Sequence, residues 1–452
     1  MFEKAKQTLT KQTHLAPLAV FRIVFGATML FSILRFIAKG WVHDLYVEPE
    51  FYFTFYGFDW VKPLGEIGMY LVFGLMAVSF LFQALGLFYR LASIVSFTAF
   101  TYVELIDKTN YLNHYYFVSI ICLLLIFVPA NRYFSLDVIR KPQLKKTHAP
   151  AWVIWIFKLQ LLIVYFYAGL AKLNPDWFLN AMPLKLWLPS KSNLPLIGSL
   201  LNKEWLAYLF SWFGAIYDLS IPFLLLIPRT RLIGYLLVII FHIMTWVLFQ
   251  IGMFPFIMIG ATLIFFSEGF HIKLIGKFSS KKEKAEKVLL YSSSKIKIAS
   301  ILLGVYFALQ LFLPFRFALY PGKLFWTEQG YRFSWRVMLM EKAGYAIFHV
   351  TDPETGKAWE VNNYDFLTPN QEKMMSTQPD MILQFAHYLE EFYRKNGIES
   401  PKITAETYVS LNGSISESFI DPSKDLTELN RGFENKNWIL PAPQKLENES
   451  NN

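Results

Sequence analysis

Apolar residues fall in long blocks along most of this chain, parted by short polar turns, and only in the last third do they thin into alternating and helical patterns. Blocks of roughly 16–22 residues approach or match the length of a bilayer crossing. They lie at about 16–37, 68–88, 91–106, 115–130, 152–172, 206–227, 232–250, 253–268 and 298–318. Nine spans would put the two termini on opposite sides of a membrane. After about Pro321 the pattern changes. Ala346 to Val361 reads AIFHVTDPETGKAWEV, apolar runs around a Pro- and Gly-containing turn, and predicts a hairpin. Thr377 to Gly397 has Pro379 near its first turn, Ile382, Phe385, Ala386, Leu389, Phe392 and Tyr393 on one face, and Gly397 as its stop, which predicts an amphipathic helix. Lys402 to Leu411 is a further strand candidate.

The predicted fold class is an α-helical polytopic membrane bundle of about nine transmembrane helices with a C-terminal α+β extracytoplasmic domain. Residues 1–320 would form the membrane domain, 321–440 the outer domain, and 441–452, PAPQKLENESNN, a disordered tail.

Composition agrees, with 54% hydrophobic and 17% charged residues, a balance too apolar for a soluble chain. Basic residues set the orientation. Lys4, Lys6 and Lys11, Arg90, the group Arg132 to Lys146, Arg229 and Arg231, and the run Lys273 to Lys297 all fall at alternate turns. That arrangement puts the amino terminus in the cytoplasm and the outer domain in the periplasm or extracellular space. The net charge of +9 then reflects cytoplasmic loops, and nucleic acid is not implied. The first span has no small-residue cleavage site after it and reads as an uncleaved anchor. Cys122 is the single cysteine and falls inside a span, which excludes an internal disulfide or a cysteine metal site. The lack of cysteines outside the membrane points to a multi-pass protein of a cell inner membrane, or of the endoplasmic reticulum if the source is eukaryotic.

The stretch Trp152 to Trp177, WVIWIFKLQLLIVYFYAGLAKLNPDW, delivers Lys172 at the end of a span. A lysine there is either a snorkelling anchor or, if kept neutral, a base. Glu104, Asp107, Lys108, Thr109, Asn113 and His114 collect at the same outer level from neighbouring spans. Asp218 and His242 lie nearer mid-membrane, facing one another or a cavity, or else serving as interhelical hydrogen-bond formers. Tyr165, Phe166, Tyr167, Trp246 and Phe249 suit either a slot for a flat ring or the aromatic belts of a bilayer. The eight histidines form no HxxH or HxxxH pair, so no metal is expected.

Several of these segments carry a resemblance. VYFYAGLAKLNPDW (164–177), LIDKTNYLNHYYF (105–117), ANRYFSLD (130–137), YDLSIPF (217–223) and FHIMTWVLFQIGMF (241–254) resemble segments of vitamin K-dependent γ-glutamyl carboxylases, of HTTM type in their transmembrane part. LAVFRIVFG (18–26), QALGLFYR (83–90), YRFSWRVM (331–338), AETYVSLNG (405–413) and FIDPSKD (419–425) extend the likeness in order through most of the chain.

The resemblance implies a membrane lyase that couples O2-dependent epoxidation of vitamin K hydroquinone, or of a menaquinol, to carboxylation of glutamate side chains with CO2. It makes Lys172 the base acting on the hydroquinone and His114 its assistant. It also puts His242 at the quinone and Tyr331 at the glutamate of a protein or peptide substrate; Asn113, Asp218, Tyr167 and Trp246 join the quinone candidates, and Trp335 the glutamate candidates, from the residues themselves. The chain departs from animal members at Ala171, where they have a second lysine, and at GSISESFI (413–420), where they carry arginines. Phe333, Arg336 and Met340 also differ. The alternatives are a quinol-oxygenating enzyme without glutamate carboxylation, or a non-enzymatic quinone- or lipid-binding membrane protein.

Overall fold

The apolar blocks become helices in the computed structural model, which describes residues 7–278 and 287–442. Lys4, Lys6, part of the run Lys273 to Lys297 and all but the first two residues of the expected tail lie outside these. Strand β1 (Gln12–His14) leads into α1 (Ala16–Ala38) and the short α2 (Trp41–Tyr46). Then come α3 (Gly65–Leu85), α4 (Tyr89–Ile106), α5 (Asn113–Phe127) and β2 (His148–Pro150), which pairs antiparallel with β1. Helices α6 (Trp152–Ala171), α7 (Glu204–Leu226), α8 (Arg231–Leu248), α9 (Phe254–Thr262), α10 (Glu268–Gly276) and α11 (Ser293–Phe312) complete this part.

Among the described residues, six helices, α1, α3, α6, α7, α8 and α11, are long and apolar enough to cross a membrane. A seventh crossing exists only if α9, extended by a 3-10 turn to Phe265, is joined with α10 across a 112° bend. By length and composition, therefore, the described residues supply six or seven candidates against the nine expected spans. The 15 residues of α5 reach about 22 Å at ~1.5 Å each, short of a hydrocarbon layer of ~30 Å. Helix α4 carries Arg90, Ser93, Ser96, Thr98, Thr101 and Glu104 and is not among the six.

Polar side chains fix how the helices meet. Asp137 accepts from the backbone N–H groups of Phe88 and Tyr89 at 3.0 and 3.1 Å, so the acid of the ANRYFSLD segment caps the start of α4. Helix α11 is mostly exposed along its length and is tethered by a polar chain. Tyr306 donates to Gln160 at 2.6 Å, Gln160 to Gln310 at 3.4 Å, and Gln310 to the Tyr116 hydroxyl at 2.8 Å.

In the outer part, β3 (Lys342–Thr351) and β4 (Ala358–Glu360) form the expected hairpin. Helices α12 (Pro369–Met375) and α13 (Pro379–Lys395) follow, then β5 (Lys402–Leu411) and β6 (Glu417–Ser418), giving an antiparallel sheet of order β4-β3-β5-β6. Ile382, Phe385, Ala386 and Leu389 of α13 are fully buried in one cluster with Phe348, Val350 and Ile403 of the sheet. Burial of each large side chain of this kind stabilises by roughly 1.5–3 kcal/mol. Phe53, from the turn between α2 and α3, is buried in the same cluster. Gln371 binds Phe51 O at 2.7 Å and Asp107 at 2.9 Å. The outer domain is thus plugged onto the membrane helices by residues far earlier in the chain.

Candidate active site

Helices α6 and α7 approach closely because Gly169 has no side chain, and a Cβ there would lie 2.9 Å from the backbone nitrogen of Leu219. Next to Leu219, Asp218 points to the end of α6, where Lys172 is the C-cap residue. Lys172 Nζ donates to Asp218 Oδ2 at 2.6 Å, with 7% and 6% of the two side chains exposed. Gly214 faces the lysine stem, where a Cβ would make ordinary contact at 3.8 Å, and the Trp177 ring centre lies 5.4 Å from Nζ. The sequence left Lys172 either as a snorkelling anchor or as a neutral base. The structure encloses it and pairs it with Asp218, whose carboxylate points at Lys172. Such a pair is held by geometry, since attraction must offset the desolvation of both charges.

His242 is buried, with Nδ1 2.9 Å from Val238 O, which places the ring proton on Nδ1 and leaves Nε2 as an acceptor. His114, in the first turn of α5, has its ring centre 5.4 Å from that of Phe254, and His242 lies 5.8 Å from the same ring. Phe254 therefore bridges the two histidines.

A loop from the outer domain closes over these helices. Asn113 Nδ2 donates to Arg336 O at 2.8 Å, and Tyr331 OH donates to the same carbonyl at 3.3 Å. Tyr111 OH accepts from Phe333 N at 2.7 Å. Phe333, Trp335 and Met338 all have positive φ, between 52° and 59°, a conformation that costs a non-glycine residue roughly 1–3 kcal/mol. Burial of Trp335, stacked on Tyr116 at 4.8 Å, opposes that cost. Asn113, expected at a cofactor, thus has its amide engaged in fastening this loop.

Lys172, Asp218, His242, His114, Asn113, Tyr165, Tyr331 and Trp335 all line one cavity of about 950 Å³. Tyr167 and Trp246, expected at a ring slot, do not line it. Tyr167 OH donates to Leu311 O, securing α11, and Trp246 is 48% exposed on the outside of the bundle.

Residues 10–270 match the model of the HTTM domain, more than half of the chain, and residues 295–445 match that of the vitamin K-dependent gamma-carboxylase, lumenal domain. The chain belongs to the vitamin K-dependent carboxylase family. No solved structure matches it. Membership implies a carboxylase-like membrane enzyme that works with vitamin K hydroquinone, O2 and CO2 on a glutamate-containing protein.

The cavity of this carboxylase-family chain fits such a ligand. Its volume stands at the upper end of the roughly 300–1,000 Å³ of small-molecule sites, and Phe117, Val118, Val164, Phe241 and Ile257 give it apolar walls. The Trp335 Nε1–H, buried in the wall, has no acceptor among the described residues. A ligand oxygen would satisfy it.

Sequence reasoning missed the charged seam between helices and outer domain. Asp380, at the start of α13, binds both Lys108 and Arg332 at 2.8 Å. Lys342 binds Glu328 at 2.9 Å, Trp326 O at 3.0 Å and Thr377 O at 2.6 Å. Burial opposes ionisation of Asp380, but Arg332 and Lys108 outweigh it and hold the carboxyl well below the usual carboxylate range. Burial pulls Lys108 down to about 8, against the raising effect of Asp380. In sequence, Asp380 reads as an ordinary acid at a helix start. Among the described residues, one trio with clustered metal-ligating atoms occurs, His43, Asp44 and Glu48, and all three are exposed.

Proposed function

We propose that this chain is a quinol-dependent γ-glutamyl carboxylase of the carbon–carbon lyase class, with Lys172 as the base that starts the reaction. What supports this reading most is the Lys172–Asp218 pair in the wall of a cavity that also holds His242, His114 and the 331–338 loop. The hydroquinone, oxidised by O2, supplies the strong base that a glutamate γ-proton requires, and CO2 then adds to the resulting γ-carbanion.

The residues of the chain do the rest. In the resting pair the amine is the donor, so Lys172 takes a proton from a ring hydroxyl only as it passes one to Asp218 Oδ2. His242 Nε2 accepts a hydrogen bond from a ring hydroxyl, and His114 relays the proton outward. Trp335 Nε1–H orients an oxygen of the ligand. The packed walls exclude water, which would quench a carbanion. Tyr331 and Trp335 form the glutamate side of the cavity, which the outer domain opens to a peptide.

The membrane domain is taken as 1–320 and the outer domain as 321–440. The amino terminus lies in the cytoplasm and the outer domain in the periplasm, or in the endoplasmic reticulum lumen if the source is eukaryotic. The quinone, vitamin K or a menaquinone, enters sideways from the lipid, and no metal takes part.

The test is incubation of the purified protein with reduced vitamin K, O2, labelled CO2 and Glu-containing peptides. Label in the peptide together with epoxide is expected. Epoxide without label would leave a quinol-oxygenating enzyme, and neither product would leave a quinone- or lipid-binding protein.

A further inference from the structure

A second, smaller chamber of about 160 Å³ lies where the outer domain meets the membrane helices, sharing Lys108, Arg332 and Glu328 with the main cavity. Its other charged lining residues are Arg316, Asp380, Arg431 and Lys436. Two of the seven are balanced elsewhere, Arg431 by Asp59 at 2.6 Å and Glu328 by Lys342 at 2.9 Å. Lys108, Arg332, Arg316 and Lys436 are left facing the single carboxylate of Asp380, which Lys108 and Arg332 already share.

Neither Arg316 nor Lys436 has a carboxylate within ion-pair distance among the described residues. Arg316 donates to Arg332 O and Lys436 to Gly432 O at 3.3 Å, bonds that orient both groups without neutralising them. Glu434, exposed beside Lys436, offsets part of that charge and still leaves an excess. Arg316 and Lys436 are half-buried, and positive charge gathered with reduced access to water costs free energy unless a counter-charge joins it. Burial lowers Lys108 and Lys436 from their ordinary values, as expected where that counter-charge is short. An arginine cannot relieve the excess by losing its proton.

We propose that this chamber is a binding site for a small planar oxyanion of carboxylate geometry, held by Arg316 and Lys436 and backed by Arg332. The guanidinium fork matches a carboxylate in two parallel hydrogen bonds. Phe55, Phe333 and Phe433 form aromatic walls suited to a flat group. The volume is well below the roughly 300 Å³ of a drug-sized site, which excludes a nucleotide. Such an anion comes either from solution, as hydrogencarbonate, or from an acidic side chain of a bound peptide. The site adjoins the main cavity through Arg332, while its two principal groups, Arg316 and Lys436, do not line that cavity.

Calorimetric titration of the purified full chain, at fixed ionic strength, with sodium acetate, with sodium hydrogencarbonate and with a blocked Glu-containing tripeptide tests this. Saturable binding of at least one, weakened roughly tenfold by Arg316→Gln and by Lys436→Gln, is expected. Binding of the small anions would assign the source to solution, and binding of the tripeptide alone would assign it to a peptide. Should Arg316→Gln fail to fold, Lys436→Glu, on a loop, serves in its place and should abolish binding. Absence of saturable binding by all three, or binding indifferent to both charges, would overturn the proposal. None of these readouts depends on turnover.

Discussion

Lys172 and Asp218 are 46 residues apart and meet at 2.6 Å, each almost fully enclosed. The consequence is a coupled unit in which neither charge is stable without the other. Asp218→Leu should leave a buried cation unpaired and cost about 3–5 kcal/mol, and Lys172→Met should cost a similar amount. The double variant Lys172→Met/Asp218→Leu should recover most of that loss. Thermal unfolding of the four proteins in one detergent closes the cycle, and additive losses would mean the pair is not coupled.

Close helix contact produces that pair, so widening the contact should loosen it. Gly169→Ala forces a methyl group to 2.9 Å from Leu219 N and should lower the unfolding temperature. Gly74→Ala is the control. It adds its methyl in open space on α3 and should be neutral, or stabilising by about 0.5–1 kcal/mol. Equal effects at the two positions would show that α6 and α7 are not in close contact.

The charged seam should give a pH signature. Lys108 titrates at about 8 when folded and at ~10.4 when unfolded. Its folded value is lowered, so the unfolded chain binds more protons between these values, and stability should rise with pH across that window. Lys108→Met removes this contribution. The unfolding temperature of the wild type should therefore gain on that of the variant between pH 8 and 10, and parallel curves would show that Lys108 is not buried as described. Asp380 carries the same sign in the acid range. Its depressed value means that its contribution is present above ~3.9 and is lost only as pH falls well below that.

Much of this was legible in the chain because lipid imposes a simple pattern. Apolar blocks announced six long helices, and the 3.6-residue face of Ile382, Phe385, Ala386 and Leu389 announced α13. Lys172, His114 and His242 interrupt apolar sequence, which singled them out before their shared cavity was visible.

Pairing was not legible. Lys172 meets a carboxylate on a different helix, and Lys108 reaches Asp380 across 272 residues. Helix face was not legible either. Tyr165 lines the cavity, and two residues on, at ~100° per residue, Tyr167 is turned to the opposite side and holds α11 instead. Helix α8 buries Gly234, Val238 and His242, and although Trp246 is the next i+4 position of that stripe it is 48% exposed, which spacing alone does not reveal. Nor does composition reveal the left-handed residues of the 331–338 loop, since Phe, Trp and Met seldom adopt that conformation.

The most direct measurement is epoxide formation from reduced vitamin K and O2 by the purified protein and by Lys172→Ala. A positioned general base contributes roughly 10²–10⁴-fold, so the variant should lose at least about a hundredfold in rate while still binding the quinone. Epoxide formed by Lys172→Ala within about twofold of the wild-type rate would contradict the assignment of Lys172 as the base.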